Sequence, residues 1–320
     1  MVRKSDFKLV VVESPATTAN LGPGFDVFGL ALEHPRDKVT LRLIPEGMEI
    51  NVSGIGAESI PTSPENNTAG VVAREIMRSF KLNVGLRINI EKGVKPGVGL
   101  GSSAASAVAV AYGLNVLFDL DLNEEELIKF AAKGEAVSAG FEHADNVAAA
   151  LCGGFVIIKS YEPLRVLHLN PPENMILCIA VPDIPVASKK TEKARAVLPK
   201  TISLENLVHN VGNATSMVVG FLLGDIHLIG ESMLDVIVEP ARASLIPGYE
   251  EVKRKALKAG AYGVTISGAG PSIIAIADIK KVNVSEIVNA MKSGFEAAGI
   301  KAEVFTTRPG GGTVVVGAER

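Results

Sequence analysis

One segment of this 320-residue chain has a composition suited to holding an anion. Lys95-Pro96-Gly97-Val98-Gly99-Leu100-Gly101-Ser102-Ser103-Ala104-Ala105 runs from a glycine-rich loop into an alanine-rich stretch that favours a helix. A helix start leaves N–H groups and the positive end of the helix dipole facing such a loop, which draws a phosphate there. Glycines let the main chain approach the anion and take positive φ, and serine hydroxyls donate to phosphate oxygens or bind a hard cation. The same residues also make an ordinary helix entry with serine caps, and the loop alone does not separate the two. Further along, Glu135, His143, Asp145 and Asn146 supply carboxylate, imidazole and amide groups within a short stretch. Singly, the two acids read as solvated surface carboxylates and the histidine as a half-buried hydrogen-bonder. Arg195 lies beside Lys189, Lys190 and Lys193, as on a basic helix face in water, and Arg242 has little local signature.

Two familiar nucleotide motifs compete for the glycine segment. Gly99, Gly101 and Ala104 match G-x-G-x-x-A, with Asp119 and Asp121 near the spacing of a ribose-binding acid. A dinucleotide fold needs an apolar strand running directly into the first glycine, and here Lys92, Gly93, Lys95 and Pro96 intervene. A P-loop is excluded because no Gly-Lys-Ser/Thr follows.

Composition narrows the partners. Lys and Arg total 32 against 35 Asp and Glu, a net charge of -3, so no bulk positive field exists to hold a nucleic acid. With 47% hydrophobic and 21% charged residues the chain reads as globular, and its length suggests two domains. The cysteines, Cys152 and Cys178, sit in apolar stretches as small hydrophobes, consistent with a reducing cytoplasm. The apolar run Leu9 to Val12 is too short for an export signal, and the run 104–118 is too short and too interrupted to span a bilayer.

The elements that must position these groups follow from patterning. Strands are expected at 7–13, 38–44, 48–52, 87–91, 155–159, 175–181, 263–267, 272–277, 301–307 and 313–317. Helices are expected at 69–80, 104–118, from Asn123 to Gly134, at 145–151, 191–197, 203–223, 249–260 and 284–298. Strands and helices mix without a regular βαβ rhythm, which favours α+β over a doubly wound parallel sheet. The prolines 163, 171 and 172 mark a domain boundary near residue 165, giving domains 1–165 and 166–320.

Four segments together point to a family: PATTANLGPGFDVFG at 15–29, PGVGLGSSAAS at 96–106, GEAVSAGFEHADN at 134–146 and TISGAGPSIIAI at 265–276. The chain resembles the GHMP small-molecule kinases, and within them the homoserine kinase branch, from about residue 8 to 310. The resemblance implies an N-terminal domain like domain two of a ribosomal protein, a ferredoxin-like C-terminal domain and a site between them. It implies ATP with its phosphates on the loop Pro96 to Ala105, adenine near Asn66 or Asn67, and Mg²⁺ held by Ser103 and Glu135. L-Homoserine is the implied acceptor, with threonine biosynthesis as the setting and a homodimer as the assembly.

For an amino acid acceptor the pocket must meet an ammonium, a carboxylate and a hydroxyl. By motif match, Asn20, Asp26, His143 and Asp145 surround the amino and hydroxyl groups, while Thr191, Arg195 and Arg242 meet the carboxylate. Relatives such as mevalonate kinase carry an aspartate base where this chain has Asn146, and an amide takes no proton. The expected mechanism therefore works through Asn20, Asp26, Glu135, Asn146 and Arg195 by positioning and charge stabilisation, which phosphoryl transfer tolerates.

Overall fold

The computed structural model describes residues 7–139, 143–185 and 190–320, the stretch 136–139 by its backbone alone. The first half of the chain forms β1 (Leu9–Asn20), β2 (Gly24–Ile44), β3 (Met48–Gly54), α1 (Thr68–Ser79), β4 (Gly85–Lys92), α2 (Ser102–Phe118), α3 (Glu124–Ala139), α4 (Asp145–Cys152), β5 (Phe155–Tyr161) and β6 (Leu164–Leu169). The second half forms β7 (Met175–Pro182), α5 (Lys190–Ala196), α6 (Leu204–Leu223), α7 (Ile226–Glu231), α8 (Val238–Ala243), α9 (Tyr249–Lys258), β8 (Gly263–Ile266), β9 (Ile273–Asp278), α10 (Val284–Ala297), β10 (Ala302–Thr307) and β11 (Val314–Glu319).

The first sheet runs β11-β1-β2-β4-β3, with β5 pairing on β2 and β6 on β5. Among the described residues only β3 and β4 are parallel within it, and the second sheet, β10-β7-β9-β8, pairs its strands antiparallel. The architecture is α+β, as the irregular alternation of elements predicts. Strand β1 runs past the expected end at residue 13 and on to Asn20 because its register with β2 shifts between Pro15 and Thr17, which bends the hairpin past a residue that has no N–H to donate. The strand expected at 38–44 is likewise the end of one strand of 21 residues, β2.

The predicted boundary near residue 165 falls inside β6, and β11 returns to pair with β1, so the first sheet takes strands from both halves of the sequence. Strand β6 is mostly exposed and has little apolar alternation, which hid it from patterning. Helices α7 and α8 have 6 residues each, too few to display a helical period.

Helix α2 is buried on nearly every side, from Ala104 to Phe118, and its alanines allow α1, α3, α4 and the sheet to approach it closely. The second sheet is covered on one face by α9 and α10. Its other face packs with α6 and α7 against the first domain, where Phe155 stacks on Phe221 at 3.9 Å between ring centroids and meets Phe28 edge-on at 5.0 Å. This apolar seam holds the two domains on either side of one cleft.

Candidate active site

The cleft is a cavity of about 480 Å³ lined from one side by the glycine loop and the start of α2, and from the other by α5, α8 and the turn after β8. At the loop the backbone requires glycine. Gly99 has φ +90, and a Cβ there would stand 2.5 Å from Ser267 O and 2.6 Å from Gly270 O. Gly101, the N-cap of α2 at φ 64, lies so close to Thr17 that a Cβ would overlap its Oγ1. Ser267 Oγ donates to Gly99 O at 2.7 Å and Ser272 N–H donates to Val98 O at 3.1 Å, so the turn after β8 is bonded onto the loop.

A buried network lies under this loop. Lys92 ends β4 and Asp37 lies within β2; their side chains are 1% and 0% exposed and pair directly. Asp37 also accepts from the N–H groups of Gly93 and Val94 and from Ser106 Oγ, and Lys92 Nζ donates to Ser102 O and Ser106 Oγ. One ion pair therefore fixes both the strand exit and the first turn of α2. No local pattern pairs the two residues, because 55 positions separate them and neither sits in a motif of its own.

The acceptor side is assembled from distant segments. Asp26, at φ 58, is held by its N–H donating to Asn20 Oδ1 at 3.1 Å and by Tyr161 OH donating to its carbonyl at 2.8 Å. Its carboxylate accepts from Arg195 Nη2 at 2.6 Å and lies 3.6 Å from His143 Nδ1. Asn20 Nδ2 donates to Gly268 O at 2.9 Å, as does Arg242 Nη1 at the same distance, and Arg242 Nε donates to Ala194 O. The Phe25 ring centroid lies 5.1 Å from the guanidinium of Arg195 and 5.2 Å from that of Arg242. Helix α8 can carry Arg242 despite its shortness because Asp235 accepts from the N–H groups of Ile237, Val238 and Glu239, while Asn210 of α6 donates to Asp235.

The electrostatics show where positive charge belongs. Burial, reinforced by the charge of Asp26, pushes the Asp145 carboxyl up to about 6. Burial likewise pushes Glu135 up to about 7, with Asp145 adding to the shift while Ser103 and Lys92 oppose it. Burial pushes His143 below its ordinary value and Arg242 down to about 10. A cationic group between Asp26 and Asp145 relieves one side of this pocket, and an anion beside Arg195 and Arg242 relieves the other.

Of the residues expected from sequence, Asn20, Asp26, Asn66, Asn67, Pro96, Gly97, Gly99, Gly101, Ser102, Ser103, Glu135, His143, Asp145, Asn146, Thr191, Arg195 and Arg242 all line the cavity. Val98, Leu100, Ala104 and Ala105 do not: their side chains are buried in the core, Val98 and Leu100 from alternate loop positions and Ala104 and Ala105 from the first turn of α2. Asn67 caps α1, its Oδ1 accepting from Ala69 and Gly70 N–H, whereas Asn66 is exposed at the cavity wall. Ser102 Oγ is committed to Val94 O at 2.8 Å. Ser103 keeps its hydroxyl on the cavity side, beside Glu135. Asn146 Oδ1 accepts from Thr17 Oγ1 at 2.7 Å, and its Nδ2 donates to Asp145. Phe25, Lys92 and Lys190 also line the site, outside the residues expected from sequence. Lys190 stood in plain view within the basic run, where its chemistry is masked by its neighbours.

Residues 67–154 match the model of the GHMP kinases N terminal domain, and residues 217–297 that of the GHMP kinases C terminal. The chain is 48% identical over 310 residues to homoserine kinase of Methanococcus vannielii, covering 96% of this chain and 98% of that one. It is 46% identical to homoserine kinase of Haloarcula marismortui, covering 96% and 100%. The crystal structure of homoserine kinase from Cytophaga hutchinsonii superposes with a TM-score of 0.90 at 40% identity, covering 99% of this chain and 100% of that one. The chain belongs to the GHMP kinase family, in its homoserine kinase branch.

Proposed function

We propose that the protein transfers the γ-phosphoryl group of ATP to the side-chain hydroxyl of L-homoserine, forming O-phospho-L-homoserine on the route to threonine. The observation that carries this reading is the meeting, in one cavity, of the α2 phosphate loop with a cluster of opposite charges spaced for an amino acid. Asp26 and Asp145 meet the ammonium, with His143 and Asn20 beside it, and Arg195, Arg242 and Thr191 meet the carboxylate. This leaves the acceptor hydroxyl directed at the loop. ATP lies with its phosphates on the backbone from Gly97 to Ser103 and its base toward Asn66 and Asn67.

Ser103 and Glu135 suit Mg²⁺. Among the described residues no group of three or more His, Cys, Asp or Glu forms a metal cage. One hydroxyl beside one buried carboxylate fits an ion that takes its other ligands from phosphate oxygens and water. When bound, such an ion neutralises the charge developing on the phosphoryl oxygens. The chain's own residues orient and desolvate: Lys92 and Asp37 fix the loop, Arg195 holds Asp26 toward the acceptor, and Asn146 is locked between Thr17 and Asp145. No residue at position 146 takes the hydroxyl proton, which passes to the transferring phosphoryl group or to solvent. The loose transition state of phosphoryl transfer makes positioning and charge sufficient.

A homodimer accords with the exposed face of α6, where Leu204, Val208, Val211, Leu222 and Leu223 stand in water. Among the described residues no helix is long and apolar enough to cross a membrane. The reading is tested by measuring ADP release with Mg-ATP against L-homoserine, L-serine, L-threonine, mevalonate, shikimate and galactose, with products identified by mass. Preference for homoserine supports it. Preference for a non-amino-acid acceptor overturns the roles given to Arg195 and Arg242, and silence across the panel overturns the kinase reading itself.

A further inference from the structure

Among the described residues that line the cavity, Lys190 is a cation that neither the amino acid, the metal nor the buried Lys92–Asp37 pair accounts for. It opens α5, the helix that also brings Thr191 and Arg195 to the cavity, and its side chain is half-buried at the wall. The ammonium donates to Gly270 O. That carbonyl lies 2.6 Å from the position of a Cβ on Gly99, so the ammonium stands where the turn after β8 meets the phosphate loop. Of the groups placed for the amino acid, Asp26 pairs with Arg195 and faces His143, and Arg242 is turned to Gly268 O, two residues before the carbonyl that Lys190 holds. Burial pushes Lys190 down to about 7, Arg242 acts in the same direction, and no acid is among the groups acting on it. A half-buried ammonium with a carbonyl and, among the described residues, no carboxylate beside it is suited to an incoming anion. The amino acid's single carboxylate is already matched by two guanidinium groups. The anion that arrives at the loop edge is a phosphate.

Resting on the kinase reading above, we propose that Lys190 contacts the terminal phosphoryl group of a bound nucleoside triphosphate and makes the site favour a triphosphate over a diphosphate. The neighbouring groups divide the work accordingly: the glycine loop holds the phosphates common to both nucleotides through backbone N–H groups, and Lys190 reads the third. Loss of that contact after transfer then favours ADP release.

The test is calorimetric binding of ADP and of the non-hydrolysable β,γ-methylene analogue of ATP to the full chain, its Lys190→Met variant and its Lys190→Arg variant. The wild type binds the analogue more tightly. Lys190→Met weakens the analogue roughly 10- to 100-fold, as expected for a hydrogen bond between charged groups, and leaves ADP within about twofold, while Lys190→Arg restores much of the difference. In turnover, Lys190→Met raises KM for ATP and lowers kcat with KM for homoserine unchanged. Equal weakening of both nucleotides, with a lowered melting temperature, makes Lys190 only a strut for the turn and overturns the proposal. A raised KM for homoserine with the nucleotide preference intact assigns Lys190 to the carboxylate and also overturns it. A wild type that distinguishes the two nucleotides through Lys190 but phosphorylates no homoserine upholds this inference while sinking the acceptor assignment.

Discussion

Arg195 Nη2 stands 2.6 Å from Asp26 Oδ2, joining residues 169 positions apart across the cleft between the domains. The pair neutralises an acid in a pocket that already holds buried Asp145, and it holds the acid at the edge of the acceptor site. Arg195→Lys keeps the charge but loses the planar fork that grips a carboxylate. Its KM for homoserine rises about 30- to 100-fold with little change in KM for ATP, the size of one lost charge-assisted contact. Steady-state kinetics with each substrate varied in turn checks this; an equal rise in both constants would place Arg195 in the scaffold instead.

Asp26 offers a separate test of the missing base. If the acid only orients the acceptor, Asp26→Asn weakens homoserine binding and keeps measurable turnover. Complete loss of turnover with normal homoserine binding, as severe as for Glu135→Ala, restores a base role.

The raised carboxyl of Asp145 makes a prediction about pH. A group whose folded-state value of about 6 lies above its ordinary one favours the folded protein while protonated, and that stability is lost as pH rises toward and through 6. Asp145→Asn removes this cost. The variant without ligand is stabilised relative to wild type at pH 8, by on the order of 2 to 3 kcal/mol, and the difference fades toward pH 4. Thermal melts across that range measure it, and a pH-independent difference refutes it. The same variant loses homoserine affinity, because the ammonium loses its anion.

Lys92 and Asp37 form the pair under the phosphate loop, and their burial sets the cost of breaking it. Lys92→Met leaves an uncompensated buried carboxylate and destabilises the protein by about 3 to 5 kcal/mol. The double variant Lys92→Met with Asp37→Leu recovers much of the stability but little of the ATP affinity, since Gly93 and Val94 N–H groups lose their anchor. Denaturant melts paired with nucleotide binding separate the two effects.

Gly99→Ala demands more than the loop can give. Its Cβ would stand 2.5 Å from Ser267 O at a φ of +90. KM for ATP rises at least tenfold, on the order of the 1 to 3 kcal/mol of strain such a position stores. Gly47→Ala, at φ +80 with no atom within 4 Å, carries the backbone strain alone and leaves KM for ATP unchanged.

The amino-acid sequence by itself determined what depends on neighbouring residues. The glycine loop, the alanine-rich α2 behind it and the strands β7 and β9 follow from local composition and period, and each forms close to where it is expected. The family motifs named Asp26, His143, Asp145, Arg195 and Arg242, although no local pattern marks Arg242 as more than a surface cation. Tertiary structure decided the rest. It alone set Lys92 against Asp37, brought Phe25 within reach of two guanidinium groups, folded β11 back onto β1 and turned Lys190 from a basic helix face toward the phosphate loop. Local propensity acts over a few residues, whereas these contacts join segments tens to hundreds of positions apart. Their partners are chosen by burial and charge pairing in the folded chain, and neither exists until the distant segments that carry them pack together.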